Sequence, residues 1–170
     1  WGRLISNNFL LAQELLSSIG KPSGKANVAL KLDMSKAYDQ VSWIFLTQAL
    51  RRFGFGERWI DMLWRLVSNV CFSVLVNGAS VGFFKSTRGV RQGDPLSPGL
   101  FIIGAEVLSR SLNKLLENRD FKCFSVPRAF SKITHLSADD IIIFSSVCPT
   151  SLWHVMQTIG WYEEVSGQQI

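Results

Sequence analysis

The sequence predicts an α+β fold in which an antiparallel sheet is covered on one face by helices, and three observations carry that reading. Short β-branched or alternating runs recur at residues 29–35, 72–76, 81–85 and 141–144. Between them lie longer segments whose apolar residues return at helical spacing. Carboxylates interrupt two of the apolar runs, at Asp33 and at Asp139-Asp140, and a buried strand tolerates such a charge only beside a partner charge or a metal.

Taken in order, Phe9 to Leu16 forms an apolar-periodic helix, with Ser6 to Asn8 as cap and Gly20 just past its end. Lys21-Pro22-Ser23-Gly24-Lys25 is a basic surface turn, and Ala29 to Ser35 is the strand that carries Asp33. Ser42 caps a helix through Trp43, Leu46, Leu50 and Phe53 that stops at Gly54. A second helix covers Glu57 to Asn69, its stripe of Trp59, Ile60, Leu63, Trp64 and Val67 pointing into the core. Phe72 to Val76, the turn Asn77-Gly78 and the return Val81 to Lys85 make a projecting hairpin.

Arg88 to Ser97 is then a loop before a long helix from Gly99 to about Leu116, with Ser97 as its cap and Pro98 in its first turn. Such a helix start offers free N–H groups and a positive dipole to a phosphate, or is an ordinary capped loop. His135 to Phe144 is a second hairpin with Asp139-Asp140 at its turn, and Leu152 to Tyr162 marks a last amphipathic helix.

Composition narrows the function classes. The 170 residues are 47% hydrophobic, enough for one sizeable core, with no composition break, low-complexity tract or internal repeat. A net charge of +5 and a pI near 9.4 favour a polyanionic partner. No apolar run approaches the roughly 18 residues of a membrane span, so no membrane partner is expected. Cys71, Cys123 and Cys148 match neither a disulfide framework nor a zinc spacing and read as reduced core cysteines of an intracellular protein. The chain opens on Trp1 and stops at Ile170 right after Ser166-Gly167-Gln168-Gln169, and is read as a piece of something longer.

If the strand of Asp33 lies beside the second hairpin, Asp33, Asp139 and Asp140 converge at one end of a sheet, on its uncovered face. Divalent cations would relieve their mutual repulsion, and carboxylate oxygens suit Mg²⁺, with Mn²⁺ also accommodated. Two such ions about 3.5–4 Å apart can activate a hydroxyl and stabilise a leaving pyrophosphate. The carboxylates alone fit a polymerase, a nuclease or a phosphatase.

Leu30 to Asp39, Arg91-Gln92-Gly93-Asp94-Pro95-Leu96-Ser97-Pro98 and Ala138-Asp139-Asp140 resemble, in order and spacing, the reverse transcriptase palm. The middle stretch, the opening Gly2-Arg3 to Glu14 and the closing Trp161 to Gln168 are similar to the non-LTR, LINE-type retrotransposon branch, especially plant copies. That resemblance implies an RNA-directed DNA polymerase of palm architecture. It implies that residues 1–170 are one partial domain, palm with part of the fingers, lacking the N-terminal fingers and thumb.

By the same resemblance, Asp33 and Asp139 are the principal metal ligands, with Asp140 a third acidic group beside the primer end. Tyr38 would lie under the sugar of the incoming nucleotide and exclude a 2′-hydroxyl, its alternative being core packing. Gln92 and Gly93 would contact nucleotide and template, with Arg91 adding positive charge, while Lys31 and Lys36 read as solvated lysines. The implied partners are an RNA template, a DNA primer, a dNTP and the endonuclease and thumb of the same polyprotein, acting in the nucleus.

Two positions depart from the family pattern. Ser137 stands where Phe or Tyr is usual, and large-to-small changes in packed sites cost about 2–5 kcal/mol. Gly99 replaces a frequent aromatic and loosens the start of the long helix. Ser137 opens the alternative of a catalytically inactive nucleic-acid-binding remnant. The 170-residue piece alone is expected to lack appreciable polymerase activity.

Overall fold

A computed structural model describes residues 13–17, 19, 26–124, 134–137 and 140–170, of which 134–137 and 140 are placed by backbone register. The elements in chain order are β1 (Asn27–Asp33), α1 (Trp43–Arg52), α2 (Glu57–Ser68), β2 (Cys71–Val76), β3 (Ala79–Lys85), α3 (Ser97–Lys114), β4 (Thr134–Ser137), β5 (Asp140–Ser146) and α4 (Pro149–Ser166). Residues 13–17 are helical, within the helix expected over Phe9 to Leu16. The expected cap at Ser6 to Asn8, residues 9–12 and the basic turn at 21–25 lie outside the described residues.

The sheet that organises the molecule has the order β1-β5-β4, antiparallel throughout. Alternation along its strands sorts the side chains onto two faces. Leu30 and Leu32 of β1 pair with Ile143 and Ile141 of β5 and pack into the main core with Leu46 and Leu50 of α1, Leu108 of α3 and Val155 of α4. α3 packs against α1, α4 and β4, so the helices cover this face, as the sequence predicts.

The opposite face is not bare along its whole length, which corrects the expectation of one uncovered face. Ala29, Ile142 and Phe144 lie there, and Leu15 and Phe124 close over them into a second small cluster. Asp33 lies four residues beyond Ala29 on the same face, past that cover, and is exposed. Among the described residues the sheet is thus shielded at the Ala29 end and open at the Asp33 end.

Local signals explain most of the helices. Ser42 caps α1 by accepting from the Phe45 N–H, and Gly54, at φ +86°, ends the turn beyond it. In α2 Ile60 and Leu63 are buried and Trp59 and Val67 half-buried against the core, whereas Trp64 remains 37% exposed, edge-on to Trp43 at 5.9 Å. Asn77 (φ +50°) and Gly78 (φ +83°) both adopt the left-handed conformation that a two-residue hairpin turn requires between β2 and β3. That hairpin is exposed along its length.

Other expectations need correction. Ser97 does not cap α3: it is the first helical residue and its hydroxyl makes no cap bond, while Asp94 does that work from three residues upstream. The Asp94 carboxylate accepts from the Leu96 N–H at 2.9 Å and its carbonyl from the Ser97 N–H at 3.1 Å. The cysteines are free but not core residues, since Cys71 and Cys123 are exposed and Cys148 is half-exposed at the start of α4. Gly99 does not interrupt α3, which runs unbroken through it.

Candidate active site

Strand register decides how the carboxylates meet. β1 and β5 pair antiparallel with Asp33 directly opposite Asp140, and β4 and β5 pair with Ser137 opposite Asp140. Directly opposite residues of an antiparallel pair hold their Cβ atoms about 4.5–5.5 Å apart, on one face. Asp33 and Asp140 therefore share the open end of the sheet, 107 positions apart in sequence as their numbers give. Asp140, expected within the turn, is instead the first residue of β5. Asp139 lies outside the described residues.

Two directly opposed carboxylates destabilise a sheet unless something positive lies between them. Carboxylate oxygens are the donor type that suits Mg²⁺ or Mn²⁺, and register sets Asp33 and Asp140 on neighbouring strands. Among the described residues no group of three or more His, Cys, Asp or Glu side chains is placed to hold a metal ion.

Beyond Asp33 the chain turns through residues 34–42 into α1, and this loop carries Tyr38 and Asp39. The Tyr38 ring is half-buried and packs against Phe101 of α3, centroids 5.3 Å apart. The loop at 88–94 is bonded to it at several points. The Gly89 N–H donates to the Val41 carbonyl at 2.8 Å, and the Val90 N–H to that of Tyr38 at 2.7 Å. The Trp43 indole N–H donates to the Gly89 carbonyl at 2.6 Å. Gly89 has φ +82°, and a Cβ there would stand 2.5 Å from the Asp39 carbonyl oxygen, so only glycine allows the two loops this close.

The residues expected to contact nucleotide and template follow directly. Arg91 is exposed and pairs with Asp94 at 3.1 Å, an interaction that solvent keeps weak and breakable. Gln92 reaches back to the Asp39 carboxylate at 3.5 Å. Gly93 has φ +87° with open space around its Cα, so it shapes the loop without crowding it. The helix-start site for a phosphate is already engaged, because Asp94 takes the Leu96 and Ser97 amides. Lys31 is exposed on the same face as Asp33 by alternation, and Lys36 is exposed at φ +49° in the turn.

A cleft of about 540 Å³ opens beside this loop. Leu63, Leu66 and Leu100 form its apolar wall, and Asp39, Arg91 and Gln92 its polar rim. A planar apolar ring with polar edges matches such a lining.

Asp39 and Gly89 went unassigned in the sequence because their work is contact with another loop, and Asp94 because Ser97 was read as the cap. The one available signal was Gly89 itself, a glycine between Arg88 and Val90 with no turn partner of its own. The last of the unforeseen residues is Gln168, whose side-chain amide donates to the Ala37 carbonyl at 2.9 Å across a separation of 131 residues.

The family model described as reverse transcriptase (RNA-dependent DNA polymerase) matches residues 5–167. The Pol polyprotein of the type-1 retrotransposable element R2 of Popillia japonica is 34% identical over 90 residues, 53% of this chain and 15% of that protein. The Pol polyprotein of the type-2 element R2DM of Drosophila melanogaster is 32% identical over 114 residues, 67% of this chain and 10% of that protein. An uncharacterized mitochondrial protein of Arabidopsis thaliana is 43% identical over 67 residues, 39% of this chain and 55% of that protein. The chain thus spans only 15% and 10% of the two R2 polyproteins it matches. Among solved structures, telomerase from Candida tropicalis in complex with a fragment of telomeric RNA superposes with a TM-score of 0.67 at 14% identity, covering 99% of this chain and 29% of that one. At that identity the likeness is one of fold.

Proposed function

The chain belongs to the reverse transcriptase (RNA-dependent DNA polymerase) family, in its non-LTR retrotransposon branch, and on that premise we propose that it is the palm that carries out RNA-templated DNA synthesis. The observation that carries the proposal is the β1–β5 register, which pairs Asp33 with Asp140 at the open end of the sheet. In this reading Asp33, Asp139 and Asp140 hold Mg²⁺ or Mn²⁺. When bound there, the ions supply charge neutralisation for the attacking hydroxyl and the leaving pyrophosphate.

The chain's own residues then do the positioning, which is most of what such a reaction needs. The primer 3′-hydroxyl oxygen bonds to the α-phosphorus of a dNTP, the bond to the bridging oxygen breaks, and pyrophosphate leaves. Tyr38, packed against Phe101, supports the sugar with its ring, and its bulk excludes a 2′-hydroxyl. Gln92 and Gly93 line the approach of template and nucleotide, with the adjacent cleft to receive a base. Arg91 exchanges its exposed pairing with Asp94 for a phosphate. RNA template, DNA primer and dNTP are the partners, together with thumb and endonuclease parts of a longer polyprotein, and the site of action is the nucleus.

Primer extension on an RNA template tests the reading, with the segment carried in a polypeptide of its relatives' length. Mg²⁺-dependent extension that Asp33→Asn and Asp139→Asn abolish is the expected result. A second reading, an inactive nucleic-acid-binding remnant, draws on Ser137, whose register position faces Asp140 where the family usually carries an aromatic. Extension that appears only with Ser137→Phe would favour it. Labelled RNA degraded in an Asp33-dependent way without synthesis would point instead to a two-metal nuclease.

A further inference from the structure

We propose that Gln168 is a positioning residue for sugar selection, holding the loop that carries Tyr38, which the 88–94 loop also holds; this rests on the polymerase reading above. Gln168 is 1% exposed, and both ends of its amide are used. Its Nε2 donates to the Ala37 carbonyl at 2.9 Å, and its Oε1 accepts from the Tyr162 hydroxyl. Its backbone N–H donates to the Ser166 hydroxyl at 3.1 Å, fixing the turn from which the side chain projects.

Neighbouring bonds make this a strap. The Ser35 N–H donates to the Gln169 carbonyl at 2.9 Å and the Ser42 N–H to the Ser166 carbonyl at 2.7 Å, one on each side of Ala37. Gly167, at φ +72°, lets the chain leave α4 so close that a Cβ would stand 3.1 Å from the Gln40 carbonyl oxygen. Residues 35–42 are therefore bonded both to the 88–94 loop and to residues 166–169. Ala37 is tied to Gln168 through its carbonyl, and the next residue, Tyr38, is tied to Val90 through its own. Burial raises the Tyr162 phenol above its ordinary range, so it remains a donor to Gln168 at any working pH.

Such an arrangement does more than fill space. An apolar side chain of similar volume would fill the space but strand the buried Ala37 carbonyl and Tyr162 hydroxyl, and a buried polar group left unpaired costs more than the bond itself is worth. What the amide adds is direction: it sets where the Ala37 carbonyl points, and with it how closely the Tyr38 ring approaches the sugar. Exclusion of one extra oxygen depends on that approach within a fraction of an ångström.

The test compares kcat/KM for dNTP and for the matching rNTP, in the parent, Gln168→Leu and Tyr162→Phe, each carried in a polypeptide of its relatives' length. Gln168→Leu is expected to lower the dNTP-to-rNTP ratio about tenfold, the worth of one net hydrogen bond, chiefly by raising rNTP use. Tyr162→Phe leaves the bond to Ala37 but frees the other end of the amide, and is expected to lower the ratio about threefold. If Gln168→Leu fails to fold, Tyr162→Phe carries the test. Equal losses with both sugars and an unchanged ratio would overturn the proposal while leaving the polymerase reading intact. A parent that extends nothing overturns both.

Discussion

Replacing Gly89 with alanine would put a methyl carbon 2.5 Å from the Asp39 carbonyl oxygen and 2.8 Å from its carbon, at a backbone φ of +82°. Two costs arise. The left-handed backbone itself costs an L-residue about 1–2 kcal/mol. Relieving the clash requires the 88–94 loop to back away, and such an overpacked backbone shift costs about 1–3 kcal/mol. The sum is about 2–5 kcal/mol, and the movement stretches the Gly89 to Val41, Val90 to Tyr38 and Trp43 to Gly89 bonds together. Gly93→Ala is the matched control: φ is +87°, but nothing lies within 4 Å of the added carbon, so only the first cost applies. Urea unfolding of the parent and both variants reads the difference. Gly89→Ala should be the less stable by about 1–3 kcal/mol, the clash cost alone. Equal midpoints for the two variants would refute the close approach of the loops and with it the account of how Tyr38 is held.

Three further outcomes follow from single residues. Gly99 is an exposed helix position in α3 with open space at its Cα, so Gly99→Ala should stabilise the chain by about 0.5–1 kcal/mol; a loss would mean the helix does not run through it. The Tyr162 phenol is raised above its ordinary value of about 10, so as pH climbs past that value the unfolded chain gives up its proton first. Its contribution is fully present below pH of about 10 and is lost above it, so Tyr162→Phe should flatten the fall of stability on the alkaline side, read by unfolding at stepped pH. Cys148 sits at the start of α4, where the Ser151 backbone N–H lowers its thiol below the usual range, so it should alkylate at a lower pH than an ordinary cysteine; labelling followed by mass mapping reads this.

How far the sequence could be read depends on the range of the physics involved. Hydrophobic periodicity and caps are local, and they located α1, α2, α4 and the β2–β3 hairpin closely. The cap of α3 was misread because Ser97 stands beside Pro98, as a cap does, while Asp94 serves the helix from three residues upstream. The cysteines were misplaced because burial is a statistical habit of that side chain, and Cys71 happens to begin an exposed hairpin. That the strand of Asp33 meets the Asp139-Asp140 hairpin was legible because a lone charge in an apolar strand demands an explanation, while the register that sets Asp33 opposite Asp140 was not. The bonds from Gln168 to Ala37 and from Gly89 to Val41 were not, since nothing near either residue records a partner 131 or 48 positions away. Fold and charge placement were open to sequence reasoning, while the fixing of one loop by another required coordinates.

The central claim is that the open end of the β1–β5 pair is a divalent-metal site, and Mn²⁺ titration followed by electron paramagnetic resonance tests it most directly. The parent chain should bind Mn²⁺ in competition with Mg²⁺, and Asp33→Asn and Asp140→Asn should each weaken binding at least about tenfold, as loss of a charged ligand does. Binding of equal strength in the parent and both variants would contradict the assignment of these carboxylates.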